Sequence, residues 1–498
     1  MNKILLLLVS LCITSQLRAQ PEIVFRGEPL DSYVQQEVVF DQTLYVCGRY
    51  YHNLYLSYER LRSPNETAIA GSDEYIADSI RCAGGIITAY LPDVWSDTVR
   101  LGATLSRLTA TVTDSRKIRV SGSPQFDNNE RPTAAPSMGE ARLTVCAANL
   151  QYYCPEWKGT YGAESDQEFA VQHTKLMKAL QNINADLYAF AELQQGSVAL
   201  ESIVSGLNAL TAPERYAYVA DEDTKASTYT KVGYIYRADK IVPVLALGHA
   251  SPSYSFSRRQ YVQAFQEIST NERFIVSMNH FLAKDGTGSA STNAARMDNA
   301  EDLVSYLDAR LSENYYDDSD ILIVGDMNCA TMEEPIIYLG QHGYENMLSR
   351  FAPGEYSYVY DNQTQYIDHV FASPSLANQI TNAAPYHLNA DETNRFSYTY
   401  GDTTMYRYSD HDPVIIGLRL SSDGNSTGIH RNTAEEVRVW SSSDKISICS
   451  SSTSPITIYD IIGRPVFSLS DCRQADFPVQ QGLYFVRVGA QVYKVGVY

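Results

Sequence analysis

Ile321-Leu322-Ile323-Val324-Gly325-Asp326-Met327-Asn328 reads as a buried strand that ends in a tight turn. Four apolar, mostly β-branched residues are followed by glycine and then by two short polar side chains two positions apart. In open α/β sheets the crevice beyond the strand ends is where ligands bind. Asp and Asn are also ordinary turn formers, so this turn taken alone is more often structure than chemistry. The question is whether other strands of the chain end the same way. They do.

Upstream, Leu143-Thr144-Val145-Cys146-Ala147-Ala148 leads to Asn149, and Asp186-Leu187-Tyr188-Ala189-Phe190-Ala191 leads to Glu192. Phe274-Ile275-Val276-Ser277-Met278 leads to Asn279-His280. Downstream, Tyr366-Ile367-Asp368-His369-Val370-Phe371 carries Asp368, and Ser409-Asp410-His411-Asp412-Pro413 precedes the strand Val414 to Leu418. Between these runs lie helical patterns. A capping box, Ser165 to Glu168, opens a helix with Phe169, Leu176, Leu180 and Ile183 on one face. A second helix sets Met297, Ala300, Val304, Leu307 and Leu311 on one face. Strands alternating with helices and long loops predict an α+β fold with a two-layer core covered by helices.

Six strand exits bearing oxygen or imidazole groups ask for one explanation. Hard cations such as Mg²⁺ and Ca²⁺ select carboxylate and amide oxygens. No H-E-x-x-H and no C-x-x-C occurs, so a zinc cage is not indicated. Hydrolysis of a phosphodiester needs a cation on the non-bridging oxygens, donors around phosphorus and a positioned water. Asn and His supply donors, and a carboxylate orients water.

From about 142 to 420 the chain resembles the endonuclease/exonuclease/phosphatase superfamily, whose DNase I-like fold is a four-layer α/β/β/α sandwich. The phrases that carry the resemblance are A-N-L-Q-Y-Y (148–153), A-D-L-Y-A-F-A-E-L-Q (185–194), V-G-Y-I-Y-R (232–237), N-H-F-L-A-K (279–284), G-D-M-N (325–328), Y-I-D-H-V (366–370) and S-D-H-D-P-V (409–414). One departure is Ala191, where the family usually has Gln before the metal-binding Glu. The resemblance implies that Glu192 is the main metal ligand, helped by Asn149 and Asp410, with Mg²⁺ as the ion and Mn²⁺ or Ca²⁺ as alternatives. It implies that Asp326 orients and deprotonates the attacking water, and that Asn328 and His280 donate hydrogen bonds to the phosphate. His411, oriented by Asp368, would stabilise the phosphorane or serve as the base. Lys284 and Arg296 would contact substrate phosphates.

The flanks read differently. Residues 1–19 have Lys3, an apolar run Ile4 to Val9 and a small-residue exit at Ala19, the layout of a cleaved secretory leader. Residues 20–120 show short alternating strands without helical periodicity, which predicts a small β-barrel. It resembles the OB-like modules that precede catalytic regions in secreted bacterial nucleases. Residues 121–141 and 421–436 read as linkers. Residues 437–498 form an all-β tail, a β-sandwich, whose Y-D-x-x-G-R and G-L-Y-x-V-x-V phrases resemble the C-terminal sorting domain of type IX export. That resemblance implies the outer-membrane secretion machinery as a partner and a secreted or cell-surface location. Seven cysteines remain after the leader; Cys47–Cys82 and Cys449–Cys472 are the expected pairs.

The chain has 498 residues, 44% of them hydrophobic, and a formal net charge of -19, which becomes -21 when Lys3 and Arg18 leave with the leader. Such a field opposes tight holding of DNA by a basic surface. It leaves room for an enzyme acting on phosphodiesters, because a bound divalent cation reverses the potential locally. No later stretch approaches the ~20 apolar residues of a membrane span. The leading expectation is a metal-dependent nuclease acting on DNA or RNA. A phosphatase or a sphingomyelinase-like phospholipid phosphodiesterase is the alternative on the same fold. An inactive binding module would be expected to show broken motifs, whereas here the polar set is intact.

Overall fold

The computed structural model describes residues 20–92, 98–159, 162–211, 213, 215–221, 229–251, 258–284, 290–316, 318–421, 437–442, 445–460, 464–488 and 491–497. The expected leader, 1–19, and the expected second linker from 422 onward lie outside them. The chain divides into two compact units, Met1–Ser422 and Asp423–Tyr498.

The first unit is built on two six-stranded sheets. One runs in the order Tyr216–Tyr218, Thr230–Arg237, Leu187–Gln194, Leu143–Tyr153, Val414–Leu418, Ile380–Pro385. The other runs Ile241–Ala250, Gln260–Glu267, Arg273–His280, Ile321–Asp326, Asp368–Ala372, Glu345–Asn346. Inward side chains of both sheets share one core, among them Val145, Ala189, Val232 and Ile416 from the first and Phe265, Val276, Leu322 and Val370 from the second. Burying such a side chain contributes about 1.5–3 kcal/mol. The outer face of the first sheet packs on the helices Asp166–Ile183 and Val198–Leu210 through Leu176, Leu180 and Ile203. The outer face of the second packs on Ala290–Ser312 and Glu334–Gln341 through Leu303, Leu307 and Leu339. Half of the expected capping box is formed: Ser165 accepts from Glu168 N, while the Glu168 carboxylate accepts from Glu164 N, one residue before the cap.

Strand direction brings the polar positions to one rim. The Asn149 and Glu192 strands are parallel neighbours, as are the His280 and Asp326 strands. Their C-terminal ends therefore point the same way within each sheet. The Asp368 strand runs antiparallel to the Asp326 strand, and Val414–Leu418 antiparallel to the Asn149 strand. Asp368 and Asp410-His411, read from the sequence as strand exits, are thus strand entries, and antiparallel pairing carries those entries to the same rim.

Residues 20–120 form an eight-stranded mixed sheet around its own core of Phe25, Val38, Leu54, Ile87 and Ile118, among others. The expectation that helical structure is absent here is corrected: Asp73–Gly84 is a helix, capped by Ser72, which accepts from Tyr75 N, with Asp73 and Glu74 in its first turn. Its apolar residues Ile76 and Ile80 lie exposed, so no buried stripe marked it in the sequence. Cys47 and Cys82 pack together with Leu61 but remain thiols, each turned toward a main-chain carbonyl, Glu59 O and Arg62 O. The expected pairing of the two is therefore corrected, and Cys154 and Cys329 are free as well. The side chains of Cys449 and Cys472 lie outside what is described.

The second unit is a five-stranded sheet, Val437–Ser442, Lys445–Asp460, Pro465–Pro478, Gly482–Val488 and Gln491–Val497, with Ile446, Ile456, Val486 and Val497 in its core. Among the described residues no helix is long and apolar enough to cross a membrane.

Candidate active site

Gly325 adopts φ +130°, and a Cβ there would lie 2.1 Å from Asn279 O. Only glycine lets the Asp326 strand approach its neighbour so closely. The register then sets His280 directly beside Asp326. The Asp326 Oδ1 accepts from Asn328 N at 2.9 Å, which closes the turn. Asn328, at φ +49°, gives one amide hydrogen to Phe281 O at 3.1 Å and keeps the other.

Across the inter-sheet gap, Glu192 sits in the left-handed region at φ +63°, where the ladders on both sides of its strand lose register. A bulge re-aims a side chain at a strand end, and non-glycine residues held in this region cost about 1–3 kcal/mol. Gln151 and Tyr152 are also left-handed, and the turn they make brings Tyr152 N to 2.8 Å from Glu192 Oε2.

Asn149 joins the two sheets. Its Nδ2 donates to Asp326 Oδ2 at 3.0 Å and to Glu192 Oε1 at 3.3 Å. His280 Nε2 lies 3.6 Å from each of the same two carboxylates. His411 Nδ1 is held by Asp368 Oδ2 at 2.8 Å, and its Nε2 lies 3.9 Å from Asp326 Oδ2. Asp410 is partly exposed and makes no hydrogen bond within the described residues. Its charge still acts on Glu192 and His411. The structure therefore gathers Asn149, Glu192, His280, Asp326, Asn328, Asp368, Asp410 and His411 at one rim.

Burial pushes the Glu192 carboxyl up to about 7, against the opposing pull of Arg258 and with Asp410 and Asp326 adding to the rise. Burial likewise pushes Asp326 up to about 6, opposed by His411. Burial, Arg258 and His411 hold His280 well below the ordinary imidazole range. For His411 burial acts downward, yet Asp368, Asp326 and Asp410 together raise it well above that range. Carboxylates buried this close repel one another, and a cation between them removes the penalty.

The residues fit a hard divalent ion. Two carboxylates and an amide face each other with a partly exposed third carboxylate at the mouth, and His280 Nδ1 is buried without a partner. Asp326, Asp368 and His411 also offer three ligand atoms within 4.8 Å of one another. The 2.8 Å bond that orients His411 uses Asp368 and Nδ1 between themselves, which favours the Glu192 side as the ion's seat.

No protein-family model and no curated protein matches the chain. Among solved structures, an endonuclease/exonuclease/phosphatase from Bacteroides vulgatus aligns over 56% of this chain and 99% of its own, at 12% identity and TM-score 0.40. The catalytic domain of human Nocturnin aligns over 56% and 94%, at 11% identity and TM-score 0.40. A mannosyl-6-phosphatase from Bacteroides thetaiotaomicron aligns over 56% and 100%, at 16% identity and TM-score 0.37. Identities this low transfer no activity.

Lys284 and Arg296 make no hydrogen bond or ion pair with the eight among the described residues, though the charge of each reaches Cys329, which follows Asn328. The Lys284 ammonium pairs with Glu333 at 2.6 Å, and the buried Arg296 guanidinium donates to Leu282 O and Asn293 Oδ1. The cation whose charge reaches Glu192 and His280 is Arg258, which the sequence reading missed. It lies two residues before the strand Gln260–Glu267, which runs antiparallel to the His280 strand, so the pairing carries it toward the rim. Tyr358 was missed too: its ring stacks on His411 with centroids 4.6 Å apart.

The N-terminal sheet also reaches the rim. In the short turn Pro64–Glu66, the buried Glu66 carboxylate accepts from Tyr366 N at 2.8 Å and from Thr331 Oγ1 at 2.6 Å. Met332 N donates to Asn65 O, and Leu61 and Ser63 bond the main chain of Thr364. Tyr366 lies two residues before Asp368, and Thr331 three after Asn328.

Proposed function

We propose that the protein is a divalent-metal-dependent phosphoester hydrolase of the endonuclease/exonuclease/phosphatase superfamily, and that its substrate is nucleic acid. The observation that carries this is the contact of Asn149 and His280 with both Glu192 and Asp326, beside the His411–Asp368 pair. The motif order supports the same reading, as do two sheets sharing a core with helices on their outer faces.

Glu192, Asn149 and Asp410 would hold the ion, whose chemistry when bound is to neutralise non-bridging phosphate oxygens. Asp326 orients the attacking water through Oδ2 and takes its proton. Asn149 fixes that carboxylate, and His280 and the second Asn328 amide hydrogen donate to phosphate oxygens. Asp368 keeps Nδ1 of His411 protonated, so Nε2 faces the reacting centre as a donor. Arg258 adds a fixed positive charge beside the phosphate. The leader and the tail add the reading of an enzyme exported through the type IX route.

The test is a substrate panel with purified mature protein: DNA, RNA, sphingomyelin and a sugar phosphate, each in chelator and in added Mg²⁺, Mn²⁺ or Ca²⁺. Chelator-sensitive cleavage of nucleic acid is expected. Preference for the sugar phosphate or the lipid would replace the substrate, and indifference to chelator would remove the metal. Deleting 437–498 is expected to block surface delivery while sparing hydrolysis, since each unit has its own core.

A further inference from the structure

Beside the catalytic rim lies a groove of about 410 Å³ between the N-terminal sheet and the catalytic sheets, lined by Arg49, Tyr50, Arg395, Tyr400 and Arg407 and by the hairpin that carries Tyr358. We propose that this groove binds the single-stranded continuation of a nucleic-acid substrate, with guanidinium groups on a phosphate and tyrosine rings against a base. The inference rests on the phosphodiesterase reading and names how that site holds its substrate.

Charge is the first observation. In a chain of net charge -19, this wall gathers three arginines. The Arg407 guanidinium donates only to neutral oxygens, Asn389 O at 2.8 Å and Asn394 Oδ1 at 3.2 Å. The exposed Arg395 side chain has no hydrogen-bond or ion-pair partner among the described residues. Two carboxylates line the same groove, Asp361 and Glu392. Glu392 is already bound by Arg100 at 2.6 Å and Arg131 at 2.9 Å, so it offers no charge to the groove. Arg49 is fixed by donating to Val99 O and Asp391 O, which turns a long side chain into a set one.

Aromatic exposure is the second. Tyr400 is 70% exposed and Tyr50 60% exposed, the two most exposed large apolar or aromatic side chains of this groove. Stacking of a base on such a ring is sequence-tolerant and contributes about 1–3 kcal/mol per base, and a positive groove tracks the backbone.

Continuity with the chemistry is the third. Tyr358 stacks on His411, and the next residues of the same hairpin, Val359 and Asp361, line the groove. At the rise of an extended strand the two places lie on the order of 10 Å apart. Arg407 lines the groove and is near enough for its charge to act on Tyr358. It is held at φ +58°, a conformation costly for a bulky residue, three positions before Asp410.

The test uses the full mature protein and Arg395→Ala/Tyr400→Ala, two exposed positions outside the catalytic cluster. The binding probe is a labelled single-stranded oligothymidylate of about a dozen nucleotides, read by anisotropy in chelator so that it is not cut. The kinetic probes are that strand and bis(4-nitrophenyl) phosphate, too short to reach the groove, both in Mg²⁺. The double variant should weaken strand binding at least about tenfold and lower the ratio of strand to diester kcat/KM by a similar factor, with a shallower salt dependence. Equal binding and an equal ratio in the two proteins would overturn the groove, as would a wild-type protein that cuts the diester but does not bind the strand. If wild type cuts neither substrate, the phosphodiesterase reading fails, and the anisotropy arm still decides the groove.

Discussion

Asp326 is held from four directions: Asn328 N on one oxygen, and Asn149, His280 and His411 around the other. Asp326→Asn keeps the shape and removes one of three buried, mutually repelling carboxylates, so the thermal midpoint should hold or rise. Hydrolysis should fall by a factor on the order of 10² to 10⁴, the range for a general base or an electrostatic group. Retained activity would refute the role. A second residue sets a pH dependence away from the site. His387 Nδ1 lies 2.8 Å from Asp412 and its Nε2 2.9 Å from Glu355. Burial acts downward on it, but these two carboxylates prevail and raise it to about 10. The native state thus binds a proton that the unfolded chain releases near 6.5. The stability from this group is full below about pH 6.5 and is lost as pH rises through about 10. Urea midpoints across that window should fall in the wild type and flatten in His387→Gln; parallel curves would count against the assignment. Asn149, Glu192 and Asp326 were legible because each follows an apolar run, although the strands of Asn149 and Glu192 continue past them. Arg258 and Tyr358 were not, because one lies in a loop before a strand and the other in a short hairpin. Only the pairing of strands distant in sequence brings them to the rim.

At the scale of elements, the decisive piece is a three-residue turn, Pro64–Glu66, that no periodicity marks. Its carboxylate ties the segment after the G-D-M-N turn to the segment before Asp368, so it positions two catalytic strands from outside both sheets. Glu66→Ala strips partners from the buried Tyr366 N, a loss of about 1–3 kcal/mol, and from the half-buried Thr331 N and Oγ1, which water can partly serve. A positioning role predicts that kcat falls with KM nearly constant, and that Glu66→Gln, which keeps an acceptor oxygen, recovers most of it. A variant that loses stability alone, with kcat intact below its melting point, would make Glu66 a mere strut. The same scale explains what the sequence could and could not yield. The core strands and the helices 166–183 and 290–312 announce themselves by buried periodic faces. The helix Asp73–Gly84 does not, since of its residues only Cys82 is buried.

At the scale of the molecule, the stretch read as a linker, 121–141, is pinned to the catalytic sheets: Thr381 Oγ1 donates to Met138 O and Asn382 Nδ2 to Ser137 O. Composition marks such a stretch as lacking strands and helices, but is blind to what its carbonyls meet. The N-terminal sheet is joined more firmly still, through a buried charge cluster. Arg60 pairs with Asp391 at 2.7 Å, Arg100 with Glu392 at 2.6 Å, and Arg131 with the other Glu392 oxygen at 2.9 Å, while Tyr356 donates to Asp391. The Glu392 carboxylate is fully buried, and removing it takes the charge partner from Arg131 and leaves Arg100 with Asp391 at 3.5 Å. Breaking a buried pair from one side costs about 3–5 kcal/mol, more than an exposed ion pair contributes. If these contacts make residues 20–421 one cooperative body, calorimetry should show a single transition for them, and Glu392→Ala should lower its midpoint without splitting it. The tail's sheet, with a separate core, should melt independently. Two transitions within 20–421 in the wild type, one of them untouched by Glu392→Ala, would mean that the N-terminal sheet folds alone and that its charge cluster carries no cooperativity.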